Sequence, residues 1–255
     1  MIDLSIGIVT YNSADKIGDL LTSIYRHTTC SFQVYVVDNG SSDGTLALIR
    51  EQFPQVELIE SPKNGGFGYG HNQLLNRVDS RYHAIVNPDI VLHEDVFTPL
   101  LAYLDSHADT ALVTPRVMNT DGSEQKLPKR LPTVKYMVLG RLSKVVKPLK
   151  GVRDEYTRAQ EVFNEPTAID FCTGCFMLLR TAVWQAVGGF DDQFFMYLED
   201  ADLSRRVAAH GKLIFYPGVS VEHQWEQASG KSLKFLRIHL SSMRKYMRKV
   251  RKERN

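Results

Sequence analysis

The sequence predicts an α/β fold, with a mostly parallel central sheet flanked by helices and a basic amphipathic helix at the C-terminus. Three observations predict it. Short Ile/Val-rich runs alternate with segments of helical periodicity through the N-terminal half. Several of those runs stop abruptly in polar turns, as strands do at the carboxyl edge of an open sheet, where ligands bind. Finally, Leu233, Leu236, Leu240, Met243, Met247 and Val250 recur at alternating steps of three and four, an apolar stripe on a helix whose other faces are basic.

In order, residues 4–10 alternate and read as a first buried strand. Asn12 or Ser13 then caps a helix with apolar positions Ile17, Leu20, Leu21 and Ile24. Phe32–Asp38 is a second strand and Thr45–Gln52 a helix, for which Asp43 is a natural cap. Residues 56–60 form a third strand, running into the glycine stretch 64–70, with a helix over 71–78. Residues 81–86 form a strand that must stop at Asn87-Pro88-Asp89, because Pro88 has no N–H for a sheet ladder. Beyond it, 111–118 is a strand, 119–122 a turn and 170–179 a strand. Glu199 and Asp200 precede a helix with apolar positions Leu203, Val207 and Ala208, and two short strands over 212–215 and 219–222 end beside His223.

Composition sets the class. A chain of 255 residues, 43% hydrophobic and 24% charged, suits a soluble globular domain with a full core. No apolar run approaches the ~18 residues of a membrane span. The start, Met1 to Val9, carries an acid and no basic region, so no signal peptide is expected. Three cysteines, with Cys172 and Cys175 lacking a second pair, read as buried thiols in a reducing cytoplasm rather than a redox or zinc site.

The formal net charge of +2 conceals an asymmetry. Residues 231–255 hold ten Lys/Arg and one acid, whereas the other 230 residues hold 21 Lys/Arg against 28 acids. The chain therefore divides into a body over 1–230 and a basic helix over 231–255. Inside the body, 126–153 carries nine Lys/Arg and no acid, interleaved with apolar residues around Tyr136. Such a basic insert suits a solvated surface or one that meets an anionic, partly greasy acceptor or membrane. Nucleic acid is not expected, since no binding motif accompanies the charge. The terminal helix suits packing on its own domain, a twin helix in a homodimer, or an anionic membrane surface.

Chemistry gathers at the strand ends. Thr10, Tyr11 and Asn12 place a hydroxyl, an aromatic ring and an amide beyond strand one. The Asp38 carboxylate, leading into a Gly-Ser-Ser turn, can accept the imide N–H of uracil or thymine. Asn64, Gly66 and Phe67 lie in a stretch that permits close backbone approach to a bulky polar ligand, and Gly174 offers the same on a later strand. Asp89, delivered on a rigid turn, can hold a divalent cation and through it a diphosphate.

The segments Thr10-Tyr11-Asn12, 37–43, 64–68 and Asn87-Pro88-Asp89 resemble the N-terminal half of family-2 glycosyltransferases, and 189–203 is similar to that family's second signature. Asn-Pro-Asp together with Phe-Phe-Met-Tyr-Leu-Glu-Asp is most similar to bacterial rhamnosyltransferases. The resemblance implies a Rossmann-like GT-A fold, inversion at the anomeric carbon and a nucleotide-sugar donor, dTDP-L-rhamnose in that branch. It implies a polyprenyl-diphosphate-linked acceptor glycan of a surface polysaccharide, and a peripheral place on the inner face of the plasma membrane.

By the same resemblance Asp200 is the general base, Glu199 orients the acceptor or tunes the base, and Asn87 replaces the first acid of the family's metal motif. Asp89 and His223 then hold Mn²⁺ or Mg²⁺, with Ser229 completing a His…Ser pattern. The rivals are a transferase using a UDP-sugar, a sugar-1-phosphate nucleotidylyltransferase and a non-catalytic scaffold. The second would need a basic Gly-rich loop after strand one, which residues 10–16 lack, and a scaffold would need neither acid.

Overall fold

The computed structural model describes residues 2–142, 150–224 and 233–254. Four strands run parallel at one end of the sheet: β1 (Ile2–Thr10), β2 (Phe32–Asp38), β3 (Glu57–Glu60) and β4 (Ser80–Val86). Their order is β3-β2-β1-β4, with Thr10 beside Asp38 and Ile8 beside Val86, so three strand ends meet at one edge. The sheet continues as β8 (Phe176–Arg180), β6 (Thr110–Met118), β9 (Lys212–His223) and β5 (Ile90–Leu92), with β7 (Thr167–Ile169) also on β9.

Side chains alternate across this sheet with period two. Ala84, Val86, Phe176 and Leu178 join one core with Ile17, Leu20 and Ile24 of α1 (Ile17–His27) and Leu100 and Leu104 of α4 (Phe97–Ser106). Ile85, Met177 and Leu179 face the other way, against Trp184 of α7 (Thr181–Ala186) and Leu203 and Val207 of α8 (Glu199–Val207). Both faces are therefore covered, which is why β1 and β4 read as near-continuous apolar runs.

The expected α/β architecture is present, with several corrections. The sheet is mostly parallel, as expected: β1–β4, β6 and β9 run one way, and β5, β7 and β8 run antiparallel to their neighbours. Of the strand expected over 170–179 only β8 forms, from Phe176 onward; residues 170–175 are the loop that carries Gly174, with β7 before it. The two strands expected at 212–222 are one, because residues 217–219 bulge between Tyr216, paired with Pro115, and Ser220, paired with Arg116. The helix expected over 71–78 begins earlier, as α3 (Phe67–Asn72), inside the glycine stretch.

Neither Asn12 nor Ser13 caps α1 through its side chain; Asn12 adopts a φ of 52° and its amide oxygen accepts the Ser42 N–H at 2.8 Å. At α2 (Thr45–Gln52) the Asp43 carboxylate does accept the Thr45 N–H and hydroxyl. Two helices come from the basic insert, α5 (Val134–Leu142) and α6 (Lys150–Thr157); residues 143–149 and Ser229 lie outside the described residues.

The terminal helix, α9 (Leu233–Arg254), packs on the body of its own chain. Tyr246 is buried with Phe194 and Ala201, and Met243, Met247 and Val250 lie against that cluster. Lys249 bridges Asp191 and Asp202 at 2.7 Å each, and Arg205 pairs with Glu253. Tyr246, absent from the predicted stripe, is its anchor. No helix among the described residues is long and apolar enough to cross a membrane.

Candidate active site

Two cavities meet at the carboxyl edge of the sheet. One, of about 240 Å³, is lined by Thr10, Tyr11, Asn39, Asn64, Gly66 and Phe67, and closed by Phe195, Met196 and the α9 residues Phe235 and Ile238. The other, of about 350 Å³, is lined by Phe67, Asn87, Gln125, Lys129, Gly174, Glu199, Asp200 and His223, among others. Phe67 and Met196 belong to both, so one ligand can span the two. A larger depression of about 530 Å³, around Asp109 and Lys212 at the amino end of β9, shares no residue with either.

Polar atoms stand buried without partners around the first cavity, which Thr10 and Asn39 line and which Asp38, one residue before Asn39, does not. Asp38 is 1% exposed; its Oδ2 accepts the Gly40 and Ser41 N–H groups at 3.0 and 2.8 Å, while Oδ1 has no hydrogen bond. Thr10 Oγ1 and Asn39 Oδ1 are likewise unsatisfied. Buried polar atoms are nearly always paired in a folded protein, so this cluster marks where a polar ligand belongs. Tyr11 stands 53% exposed at the mouth, its ring available for stacking. Asn64 accepts the Gly66 N–H at 3.1 Å, and Gly66 has a φ of 92° with Phe195 O only 1.9 Å from where a Cβ would sit. Only glycine fits there. Asn12 does not line the cavity; it ties the end of β1 to the loop after β2.

In the second cavity, sheet register brings distant residues together. Ile90 pairs with His223, which sets the Asp89 Oδ1 3.2 Å from His223 Nε2. Asp89 thus leads into β5 and caps no helix near His93; Asp95 instead accepts the Thr98 N–H in α4. Burial pushes the Asp89 carboxyl up, but the hydrogen bond and charge of His223 outweigh it and leave the pKa below the ordinary value.

Gln125, which the sequence reading passed over, orients the imidazole. Its Nε2 donates to His223 O at 3.2 Å, which turns Oε1 toward His223 Nδ1 at 3.1 Å. The Nδ1 proton then points at Gln125, and Nε2 faces the Asp89 carboxylate, a donor to it when protonated and a metal ligand when not. Two electron-rich atoms at that separation need a proton or a cation between them. Adjacent ligands of an octahedral cation at ~2.1 Å stand about 3 Å apart, so the pair fits Mn²⁺ or Mg²⁺. Asn87 lines the same cleft. Among the described residues no set of three His, Cys, Asp or Glu side chains surrounds a common point, so remaining ligands would come from the substrate.

Asp200 faces the same space. Its Oδ1 accepts the Ala201 N–H at 2.8 Å and its Oδ2 the Gly174 N–H at 3.2 Å. Gly174 therefore serves the carboxylate directly, and its Cβ position lies between Phe67 and Asp200. Buried Ser204 holds that loop by accepting the Cys172 N–H at 3.1 Å and donating to Cys172 O. Burial raises the Asp200 pKa, with the Gly174 and Ala201 N–H groups and the Lys129 charge opposing. Glu199 is 7% exposed; burial and then the Asp200 charge push its carboxyl well above the ordinary range.

Not all the local acids are alike. Asp202 pairs with Arg206 and Lys249, Asp191 with Lys249, and Asp192 accepts from Asn72. Glu199 and Asp200 have no ion-pair partner among the described residues. Ahead of them Tyr197 and Leu198 hold φ of 69° and 68°. Such conformations cost of order 1 kcal/mol or more for residues with a Cβ, and cluster at functional sites.

This parallel sheet edge, with a polar-lined cavity beside an acidic cleft, belongs to a chain whose residues 5–188 match the model of glycosyl transferase family 2. The chain belongs to that family. Among curated proteins it is 25% identical over 242 residues to the N-acetylglucosaminyl-diphospho-decaprenol L-rhamnosyltransferase of Mycobacterium tuberculosis, covering 89% of this chain and 78% of the relative. It is 26% identical to the rhamnosyltransferase WbbL of Escherichia coli K12, covering 96% of this chain and 92% of the relative.

Solved structures with the same fold include Staphylococcus aureus TarS 1-349 in complex with UDP, at TM-score 0.62 and 16% identity, and GalNAc-T7 with UDP, GalNAc and Mn²⁺, at 0.68 and 14%. Each is covered over 93% of this chain, which spans 64% and 47% of theirs. These likenesses bear on the fold alone.

Proposed function

We propose that this glycosyltransferase moves L-rhamnose from dTDP-L-rhamnose, with inversion, to a hydroxyl of a polyprenyl-diphosphate-linked glycan in surface-polysaccharide synthesis. One observation carries the reading: Asp200 and His223, with Asp89 Oδ1 3.2 Å behind the imidazole, line one cleft that adjoins a nucleoside-sized cavity. Tyr11 stacks on the base, the free Oδ1 of Asp38 accepts its imide N–H, and Thr10, Asn64, Gly66 and Phe67 line the path to the diphosphate. Asn87, Asp89 and His223 hold the diphosphate end. A divalent cation bound there would neutralise charge growing on the leaving diphosphate.

Asp200 takes the proton of the acceptor hydroxyl as that oxygen attacks the anomeric carbon. A positioned base is worth roughly 10²–10⁴ in rate. Its raised pKa makes it a stronger base than an exposed aspartate. Glu199 beside it, pushed up by burial and by the Asp200 charge, holds its proton to higher pH than an exposed glutamate and, when protonated, can donate a hydrogen bond to the acceptor.

The rhamnosyltransferase names of two relatives that cover most of their own length support the sugar. On the exposed face of α9, Arg237, Arg244, Arg248 and Arg251 share one side, which suits docking to an anionic membrane.

A panel of nucleotide sugars, incubated with and without Mn²⁺, tests the assignment. Consumption of dTDP-L-rhamnose alone is expected. Consumption of a UDP-sugar in its place would favour the second reading, which Asp38 permits because thymine and uracil present the same imide.

A further inference from the structure

A third cavity, of about 220 Å³, opens beside the catalytic cleft, and Lys129 lines both. The basic insert supplies Lys129, Met137 and Arg153, and the other walls include Tyr156 of α6, Leu198 and His239 of α9. No acid lines it. The nearest glutamate of α6, Glu155, is held by Lys135 and the Tyr136 hydroxyl, each at 2.7 Å. Neither the Lys129 ammonium nor the Arg153 guanidinium has an ion-pair partner among the described residues. Burial lowers the Lys129 pKa and Asp200 opposes across the cleft, so this cation sits partly desolvated without a counter-charge of its own. Such a group is costly unless an anion joins it, and a guanidinium opposite an ammonium is a good grip for phosphate oxygens.

Pro132, Met137, Leu198 and the Tyr136 and Tyr156 rings make much of the remaining wall apolar, and the apolar surface continues outward. Val134, 59% exposed, lies one turn before Met137 on α5, and Leu236, 40% exposed, lies one turn before His239 on α9. We infer that this side cavity is an acceptor subsite, in which Lys129 and Arg153 hold the diphosphate of a prenyl-diphosphate-linked sugar while its hydroxyl is presented to Asp200. The inference rests on the acceptor class proposed above. In such a molecule the diphosphate is attached to the anomeric carbon, one sugar ring from the reacting hydroxyl, and Lys129 stands between the cavities where that ring would bridge them. The prenyl chain would leave over Val134 and Leu236.

Calorimetric titration tests it on the whole chain, with the donor site first filled by dTDP and Mn²⁺. The probes are geranyl diphosphate and inorganic pyrophosphate. Geranyl diphosphate is expected to bind the tighter, and Arg153→Gln and Lys129→Met each to weaken it by about tenfold or more, the scale of a lost charge-assisted contact. Arg153→Lys should stay within a few fold of the parent, and Arg153→Gln should leave dTDP affinity unchanged.

Equal affinity for the two probes, indifference to both substitutions, or exclusion of geranyl diphosphate by dTDP would each overturn the subsite. Failure of the donor reading is distinguishable. In that case dTDP itself would not bind, while the geranyl diphosphate affinity would still depend on Arg153.

Discussion

The two cavities at the sheet edge are built on opposite principles. On the nucleoside side the carboxylate of Asp38 is anchored by two backbone N–H groups of its own turn, and loops after β1 and β2 are stitched together by Asn12, Ser41 and Asp43. On the catalytic side Asp200 and Glu199 are desolvated, adjacent and without an ion-pair partner among the described residues, and they follow a strained Tyr197–Leu198 step. A binding site for a preformed ligand can be satisfied locally. A general base gains strength from being kept short of compensation, and the surrounding fold must hold it there.

The sharpest way to break this contrast is Asp200→Asn. Transfer should fall by roughly 10²–10⁴, the range for a lost general base, with dTDP affinity within a few fold of the parent. Equal loss of both would remove Asp200 from the role of base. Next in size, Asp38→Ala should weaken dTDP binding by roughly tenfold or more, as expected for a hydrogen bond to a charged acceptor, with the rate at saturating donor little changed.

The smallest effect concerns stability. Burial raises the folded-state pKa of Glu199, so above its unfolded value of 4.5 the folded protein retains a proton that the unfolded chain loses. This group's contribution is therefore complete below about pH 4.5 and declines as pH rises through the folded pKa. Glu199→Gln removes that decline. Thermal melts should show the variant gaining about 2–4 °C per kcal/mol relieved at pH 8, and no gain from this source below pH 4. A gain that grew toward acid pH would contradict the raised pKa.

The same two regions differ in how far they were legible in the sequence. Local patterning reads β1, β2, α2 and the Pro88 stop well, because each is decided by its own residues and short turns. Asp89 and His223 were both placed correctly at strand ends, yet their pairing depends on β5, a three-residue strand that no periodicity reveals. Gln125 was invisible for the same reason, since it meets His223 only through the register of β6 and β9. The positive φ at Tyr197 and Leu198 carried no glycine or asparagine to announce it. Lys129 drew notice only as one charge in a basic stretch. In α9 the repeat of Leu, Met and Val was visible, but Tyr246 interrupts it and is what the body buries.

The central claim is that the diphosphate grip and the base occupy one cleft while remaining separate devices. Mn²⁺-dependent dTDP binding, measured on the parent, Asp89→Asn and Asp200→Asn, tests it most directly. The account predicts that Mn²⁺ tightens dTDP binding to the parent and to Asp200→Asn alike, and that Asp89→Asn loses this tightening while keeping its metal-free affinity. An undiminished Mn²⁺ effect in Asp89→Asn, or its loss in Asp200→Asn, would contradict the account.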